Sequence, residues 1–207
     1  AAYCKVQKKN TSAEVGLRLY GDAKKKKIIF VNGKIVPKIG ELMGNINCVM
    51  FSPEDLEIIK GGPQNRRRYL DILISQCSSI YFYSLQIYNN ILKQRNAYLK
   101  SNYNHIDEAI IDIWDEQLAA ACVPIVEMRR SFVEKIRKYA GSNYQHISSN
   151  KYEAFDIFLY SSLSESSNPS ETLLSQLKKS RPDDIRRGTT FYGPHRDDIS
   201  MIINSVP

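Results

Sequence analysis

A long stretch of helical periodicity lies between two strand-like ends, and this order restricts the possible folds more than any other feature of the sequence. From Pro63 to about Gln145, apolar residues recur at spacings of three and four, which is typical of amphipathic helices. On either side of this stretch, apolar and polar residues alternate, as they do in half-buried strands. The order predicts an α+β fold in which helices are inserted between two pieces of one strand-rich domain.

The first fifty residues predict a meander of antiparallel strands. Residues 1–9 and 13–22 alternate, and Asn32-Gly33 separates two β-prone runs, which is a strong signal for a hairpin. PKIGELMG (37–44) predicts a short helix, and the apolar run INCVMF (46–51) predicts a buried strand.

The character of the chain changes at Ser52. Ser52 is placed as an N-cap, Pro53 follows at the first helical position, and Asp55 is spaced to complete a capping box. We expect a short helix that stops at Gly61-Gly62, and a second helix that begins at Pro63.

Two longer helices follow in the sequence prediction. One carries Tyr81, Tyr88 and Arg95 on its periodic face, and the other runs from about Asp107 to Gly141, with a kink expected at Pro124. Beyond them the pattern predicts a strand over 151–160, two short helices that start at Ser170 and Pro182, and two short strands around Gly193-Pro194.

Composition favours a folded, basic protein of a reducing compartment. Hydrophobic residues make up 43% and charged residues 25% of the 207 residues, and the net charge is +7. Such a charge favours an acidic partner, of which nucleic acid is the commonest, although a protein can also be merely basic. The four cysteines and three histidines are scattered, so we expect no metal site, and unpaired cysteines suggest the cytoplasm. No apolar run is long enough to predict a membrane-spanning helix.

The sequence contains no recognisable catalytic motif. A phosphate loop, with its glycines and following lysine, is absent, as are an acidic magnesium motif and a nucleophile elbow. The adjacent acids Asp183-Asp184 and Asp197-Asp198 were considered as catalytic pairs, but neighbouring residues on a strand point to opposite faces. We therefore predict no catalytic residues. The sequence also starts without Met, which suggests a fragment of a longer chain.

Two basic runs are candidate DNA contacts. Lys24, Lys25, Lys26 and Lys27 lead into the predicted hairpin, where a solvated turn is the alternative interpretation. Arg66, Arg67 and Arg68 lie in the first turns of a helix, where the helix dipole disfavours cations and a phosphate would offset that cost. The alternative is internal pairing with Glu54, Asp55 or Asp71. A third cluster, centred on Arg129, Arg130 and Arg137, is predicted to be a solvated helix face.

Several motifs resemble the RecF family of bacterial recombination and repair ATPases. PEDLEIIKGGPQNRRRYLD (53–71) resembles the family signature, YNNILKQRNAYLK (88–100) and WDEQLA (114–119) resemble its arm helices, and RRGTTFYGPHRDDISMIIN (186–204) resembles its return to the head domain. The positions that carry the signature are Pro53, Glu54, Gly61, Gly62, Pro63, Asp71, Gly193, Pro194, His195, Arg196 and Asp197.

The resemblance implies an architecture and a function. It divides the chain into part of an SMC/ABC-type ATPase head (1–62), a helical arm (63–187) and return strands of the head (188–207). The intact family protein would bind ATP and magnesium and form an ATP-dependent homodimer. It would bind DNA at gaps and junctions and act with RecO and RecR to load the recombinase. This chain would lack the ATP-binding motifs and be inactive alone. Alternatively, the arm would serve mainly in protein docking and dimerisation.

Overall fold

A four-stranded antiparallel meander opens the chain. The computed structural model describes residues 2–7, 12–18, 28–44, 46–50, 52–148 and 153–204. The strands of the meander pair in sequence order and are β1 (Ala2–Gln7), β2 (Ser12–Arg18), β3 (Ile28–Val31) and β4 (Lys34–Val36). The two-residue turn between β3 and β4 is Asn32-Gly33, and Val31 faces Lys34 across it. The predicted hairpin is therefore confirmed.

The segment after the meander differs from its prediction in one part. A 3-10 helix at Ile39–Glu41 confirms the short helix predicted for 37–44. Residues 46–50, however, form no strand, and the side chains of Val49 and Met50 are 83% and 77% exposed. An apolar run becomes a strand only where another strand offers hydrogen bonds, and no described strand pairs with this one. The backbone N–H of Cys48 donates instead to the Gln76 side chain, at 2.7 Å.

The predicted helix start at Ser52 is confirmed. The Ser52 N–H donates to the Asp55 carboxylate at 2.6 Å, as a capping box requires. A 3-10 turn (Pro53–Leu56) continues into the short helix α1 (Glu57–Lys60), and α2 (Pro63–Cys77) begins after a break of two residues. The break at Gly61-Gly62 lies where the sequence predicts it.

Three long helices form the bulk of the described chain. They are α3 (Ser79–Ser101), α4 (Glu108–Ser148) and α5 (Pro169–Arg187). The sequence predicts that this helix ends near Gly141, but α4 continues to Ser148. The sequence predicts two short helices in this region, but the structure has the single helix α5. This helix begins at Pro169, has Asn168 as its N-cap and contains Pro182. Buried residues on both sides of Pro182, Leu177 and Asp184, hold α5 together despite the missing N–H.

A second, two-stranded sheet closes the described chain. Strand β5 (Phe155–Tyr160) pairs antiparallel with β6 (Asp198–Ile203), with Tyr160 opposite Asp198. The predicted pair of strands around Gly193-Pro194 is wrong, because a 3-10 turn (Pro194–Arg196) occupies that position and only β6 follows it. The strand predicted within 151–160 is confirmed as β5.

A single hydrophobic core joins the helices to the second sheet. Helix α4 supplies its centre, with Leu118, Cys122 and Ile125 fully buried. Against it pack residues from α2, α3, α5, β5 and β6, including Leu70, Tyr88, Leu173, Leu177, Ile157 and Ile199. Within the described residues, no helix is both long and apolar enough to cross a membrane.

Candidate functional site

Two sequence motifs that are far apart along the chain meet at the start of α2. The Arg66 guanidinium binds both carboxylate oxygens of Asp198, at 2.7 and 2.8 Å, and donates to the Gly61 carbonyl at 2.7 Å. Hydrogen bonding to Asp198 raises the pKa of Arg66, and the same bond lowers the pKa of Asp198. Arg66 thus joins the break before α2 to the first residue of β6.

Arg66 has an internal acidic partner, but it is not one of those that the sequence predicted for Arg66, Arg67 and Arg68. Arg66 pairs with Asp198, not with Glu54, Asp55 or Asp71, because its side chain points towards the return segment (residues 188–204). Arg67 donates to the Asp197 carbonyl at 2.6 Å. Successive side chains diverge by about 100° around a helix, so Arg68 projects away from both and is exposed.

Arg66 forms an ion pair with a carboxylate, but Arg67 and Arg68 form none with a described residue. Within the described residues, neither guanidinium has a carboxylate oxygen within 4.0 Å. Burial, followed by the nearby charge of Arg129, lowers the pKa of Arg67. At this end of α2, Arg67 and Arg68 therefore carry positive charge without a direct ion pair among the described residues.

Arg129 is the centre of a buried polar network. Its guanidinium, 1% exposed, donates to the carboxylates of Asp71 and Asp197, to the Tyr81 hydroxyl and to the Pro194 carbonyl, at distances of 2.6–2.9 Å. Burial opposes the charge of Arg129, but Tyr81, Asp71 and Asp197 together raise its pKa. Burial also raises the pKa of Asp197, and Arg129 opposes that rise.

The predicted solvated face around Arg129 is wrong for Arg129 and Arg130, whereas Arg137 stays partly exposed. Besides Arg129, Arg130 donates to two backbone carbonyls, and Arg137 binds both oxygens of Asp156 at 2.6 and 2.7 Å. Lys135 and Lys138 are exposed as expected. The sequence alone does not show which basic residues of this helix are buried and which are exposed. An arginine is buried where neighbouring segments supply hydrogen-bond acceptors for its guanidinium.

The signature residues Gly193 and His195 are fixed by one tyrosine. The Tyr88 hydroxyl lies 2.8 Å from His195 Nδ1, and His195 Nε2 lies 3.1 Å from the Thr190 carbonyl. Since a carbonyl only accepts, Nε2 carries the proton and Nδ1 accepts from Tyr88. Burial lowers the pKa of His195 to about 4, so the ring is neutral at pH 7. Gly193 has φ 127°, and a Cβ there would collide with the Tyr88 hydroxyl.

A second buried network was missed by sequence reasoning. Arg95, fully buried in α3, donates to Asp115 of α4 at 2.7 Å, to Asp184 of α5 at 2.9 Å and to the Thr190 hydroxyl at 2.8 Å. Asp115 also accepts from Arg181. The signal was present in the sequence, because Arg95 occupies an apolar position of the helical period that starts at Tyr81.

A basic surface continues from α2 to the end of α5. Phe191, 44% exposed, has the guanidinium carbons of Arg187 and Arg196 at 5.2 and 5.7 Å from its ring centre. Lys100 of α3 packs beside Gly188 at the end of α5. Within the described part of the chain, Arg187, Arg196 and Lys100 form no salt bridge. Arg196 is also close enough to lower the pKa of Arg67.

Lys24, Lys25, Lys26 and Lys27 lie outside the described residues. Pro53 and Glu54 open the 3-10 turn before α1, Gly61 and Gly62 form the break between α1 and α2, and Pro63 is the first residue of α2. The described residues contain no group of three or more metal-ligating side chains.

Comparison with known proteins identifies this architecture. No family model matches the chain. The structure matches a solved "recombination mediator protein RecF-ATPrS in RecFOR pathway" with a TM-score of 0.85 and 32% identity, over 98% of this chain and 56% of that one. A second RecF structure, with ATP, matches with a TM-score of 0.82 and 33% identity, over 94% of this chain and 52% of that one. The fold is therefore α+β, of the type found in ABC-like ATPases.

Curated relatives give the family. "DNA replication and repair protein RecF" of Clostridium botulinum (strain ATCC 19397 / Type A) is 42% identical over 181 residues, which are 87% of this chain and 49% of the relative. The protein of the same name from Alkaliphilus oremlandii (strain OhILAs) is 39% identical over 210 residues, covering 99% of this chain and 57% of the relative. The chain belongs to the RecF family, and it spans about half the length of these relatives.

Proposed function

We propose that this chain is the central part of a DNA-binding ATPase of recombinational DNA repair. The relatives are named as DNA replication and repair proteins, and the matching structures as recombination mediators with ATP or ATPrS. By the same resemblance the intact protein uses ATP and magnesium, forms a homodimer, acts in the cytoplasm and works with RecO and RecR at DNA gaps. We also propose the division into head (1–62), arm (63–187) and returning head segment (188–207).

One observation carries the proposed DNA contact: the basic surface that runs along one side of the α2 and α5 ends. It joins Arg68, Arg67, Arg196, Arg187 and Lys100, none of which has a carboxylate partner among the described residues. Arginine binds phosphate groups with two parallel N–H···O hydrogen bonds, so an unpaired row of arginines suits a phosphate backbone. In this proposal Arg66 has a structural role, and Arg67 and Arg68 stay candidate contacts together with Lys24 to Lys27.

Arg187 and Arg186 allow a sharp test. Both are exposed at the end of α5, but Arg186 pairs with Asp183, whereas Arg187 lies against Phe191. We expect Arg187→Glu combined with Arg196→Glu to weaken binding to a labelled gapped duplex, measured by fluorescence anisotropy. Each lost phosphate contact should lower the slope of log affinity against log salt by about 0.9.

The matched control is Arg186→Glu, which changes the same charge one residue away and should leave the salt slope within error of the parent chain. The proposal fails if the parent's affinity is insensitive to salt between about 50 and 200 mM, or if the control loses as much affinity as the double variant.

A second candidate function is protein docking by the arm, and the exposed apolar residues at its tip favour it. Tyr103, Ile110 and Ile113 are 64%, 41% and 53% exposed around the turn between α3 and α4. Large exposed apolar groups that cluster mark interaction surfaces. Purified RecR or a second subunit should bind the parent chain more tightly than an Ile110→Ser/Ile113→Ser variant in calorimetry. Equal affinity for both would exclude the tip as the docking surface.

A further inference from the structure

A cleft with one apolar wall and one basic edge opens beside the start of α2. Its volume is about 770 Å³. Helices α2 and α3 form its sides, the 3-10 helix at Ile39–Glu41 covers one end, and Tyr88, Arg129 and Pro194 lie at its floor. Its apolar wall is mainly aliphatic and consists of Ile39, Met43, Ile72, Phe82 and Leu85.

The charge of the cleft is positive. Arg67 and Arg68 line its edge, and neither forms a salt bridge with a described residue. The one carboxylate among the lining residues, Asp71, already accepts from Arg129 at 2.7 Å and from Tyr81 at 2.5 Å. Two guanidinium groups are therefore available to an anionic partner.

The size and lining of the cleft favour a peptide over a nucleobase. Its volume lies in the range of about 300–1,000 Å³ that is usual for binding pockets. Bases are bound by free aromatic faces, but Tyr88 is buried and Phe82 already packs edge-to-face with Tyr83, with ring centres 5.5 Å apart. Aliphatic side chains from a partner would instead complete the wall formed by Ile39 and Ile72.

The wall is formed in advance, because Gly40 lets the 3-10 helix approach α3 closely. A Cβ at Gly40 would lie 2.9 Å from the Phe82 ring and 2.6 Å from the Tyr83 hydroxyl. Ile39 and Met43 are thereby held over α3 at the end of the cleft. A preformed wall lowers the entropy that a ligand loses on binding.

We propose that this cleft binds a short acidic segment of a partner protein, with aliphatic side chains against Ile39 and Ile72 and carboxylates on Arg67 and Arg68. Charge complementarity and the aliphatic lining identify the class of partner. The proposed DNA surface shares Arg67 and Arg68 with the cleft, but DNA binding is tested separately through Arg187 and Arg196, which do not line the cleft.

The probe is a fluorescein-labelled hexapeptide of three glutamates followed by leucine, isoleucine and leucine, added to the full 207-residue chain. We expect saturable binding by anisotropy, at least about tenfold tighter than for a peptide with lysines in place of the glutamates. Arg68→Glu should weaken it about tenfold. Gly40→Val should weaken it as well, because the wall must move.

Ile72→Lys separates the peptide proposal from a purely electrostatic one. The added positive charge alone would strengthen binding of an acidic peptide, so a loss of about fivefold or more isolates the contribution of the apolar wall. Ile87→Lys on α3 is the matched control, since Ile87 and Ile72 are similarly exposed and Ile87 does not line the cleft, and it should change the affinity less than about twofold.

Three results would overturn the proposal. The acidic peptide could bind no better than its lysine counterpart, or Ile72→Lys could leave its affinity unchanged. An oligothymidine that occupies the cleft, with an affinity that falls in Ile72→Lys, would assign the cleft to nucleic acid instead. Loss of gapped-duplex binding in the Arg187→Glu/Arg196→Glu variant, with peptide binding kept, would leave the proposal standing.

Discussion

Arg66 and Asp198 form a two-pronged ion pair although 132 positions separate them in the sequence. Arg66 lies one turn into α2, and Asp198 is the first residue of β6. Both side chains are mostly shielded from solvent, with 16% and 23% of their surface exposed. The pair therefore connects the beginning of α2 to the strand that follows α5 in the sequence.

The Arg66–Asp198 pair should be measurable as a coupling energy. We expect Arg66→Ala and Asp198→Ala each to lower the free energy of unfolding, and the double-mutant cycle to give a coupling of about 1–2 kcal/mol. Urea unfolding followed by circular dichroism would supply the four values. A coupling near zero would show that the two residues act independently.

Loss of the buried Arg129 should be much more damaging than loss of a partly solvated arginine. Arg129→Met leaves the carboxylates of Asp71 and Asp197 without their counter-charge, so we expect a loss of about 3–5 kcal/mol in unfolding free energy. Arg137→Met is the control, because its pair with Asp156 is partly solvated and should contribute about 1 kcal/mol or less. Similar losses in the two variants would contradict this ranking.

His195 should make stability dependent on pH. Its pKa is about 4 in the folded chain, against 6.5 as the ordinary value. Because the folded pKa is the lower one, its contribution is complete above pH 6.5 and is lost as the pH falls towards 4. The ring is partly exposed, so we expect about 2 kcal/mol rather than the full shift.

The His195 contribution can be isolated with a variant that does not titrate. His195→Gln should be less stable than the parent chain at pH 7.5, and the difference should shrink by pH 4.5. Denaturant unfolding of both chains at several pH values would test this. A difference that stays constant would mean that His195 titrates normally in the folded chain.

Gly193 should not tolerate a side chain. Its φ of 127° is unfavourable for other residues, and a Cβ would press on the Tyr88 hydroxyl that holds His195. We expect Gly193→Ala to cost about 2–4 kcal/mol of unfolding free energy. Gly62→Ala, at a position with no atom within 4 Å and an ordinary φ of −79°, should cost less than about 1 kcal/mol when both variants are measured by urea unfolding.

Local signals in the sequence predicted the parts of the fold that depend on near neighbours. The hairpin at Asn32-Gly33, the capping box at Ser52 and the start of α2 at Pro63 all involve residues within one turn, and all three are confirmed. Resemblance placed the chain in its family.

What the sequence did not predict depends on contacts between distant segments. Residues 46–50 have the composition of a strand but no described strand beside them. Pro182 is a helix breaker by composition, yet buried neighbours keep α5 continuous. Arg129 and Arg95 look like surface cations until the acceptors from other helices and the return segment are in place.

The pairing of β5 with β6 also affects how the molecule can be divided. β5 precedes α5 and β6 follows it, so β5 gains its hydrogen bonds from a segment that lies beyond α5 in sequence. A polypeptide cut at the end of α5 would carry a bare strand edge, and Arg129 would lose its bonds to Pro194 and Asp197. Any movement of the long helices must therefore carry β6 with it, so that the pair of strands moves as one piece with them.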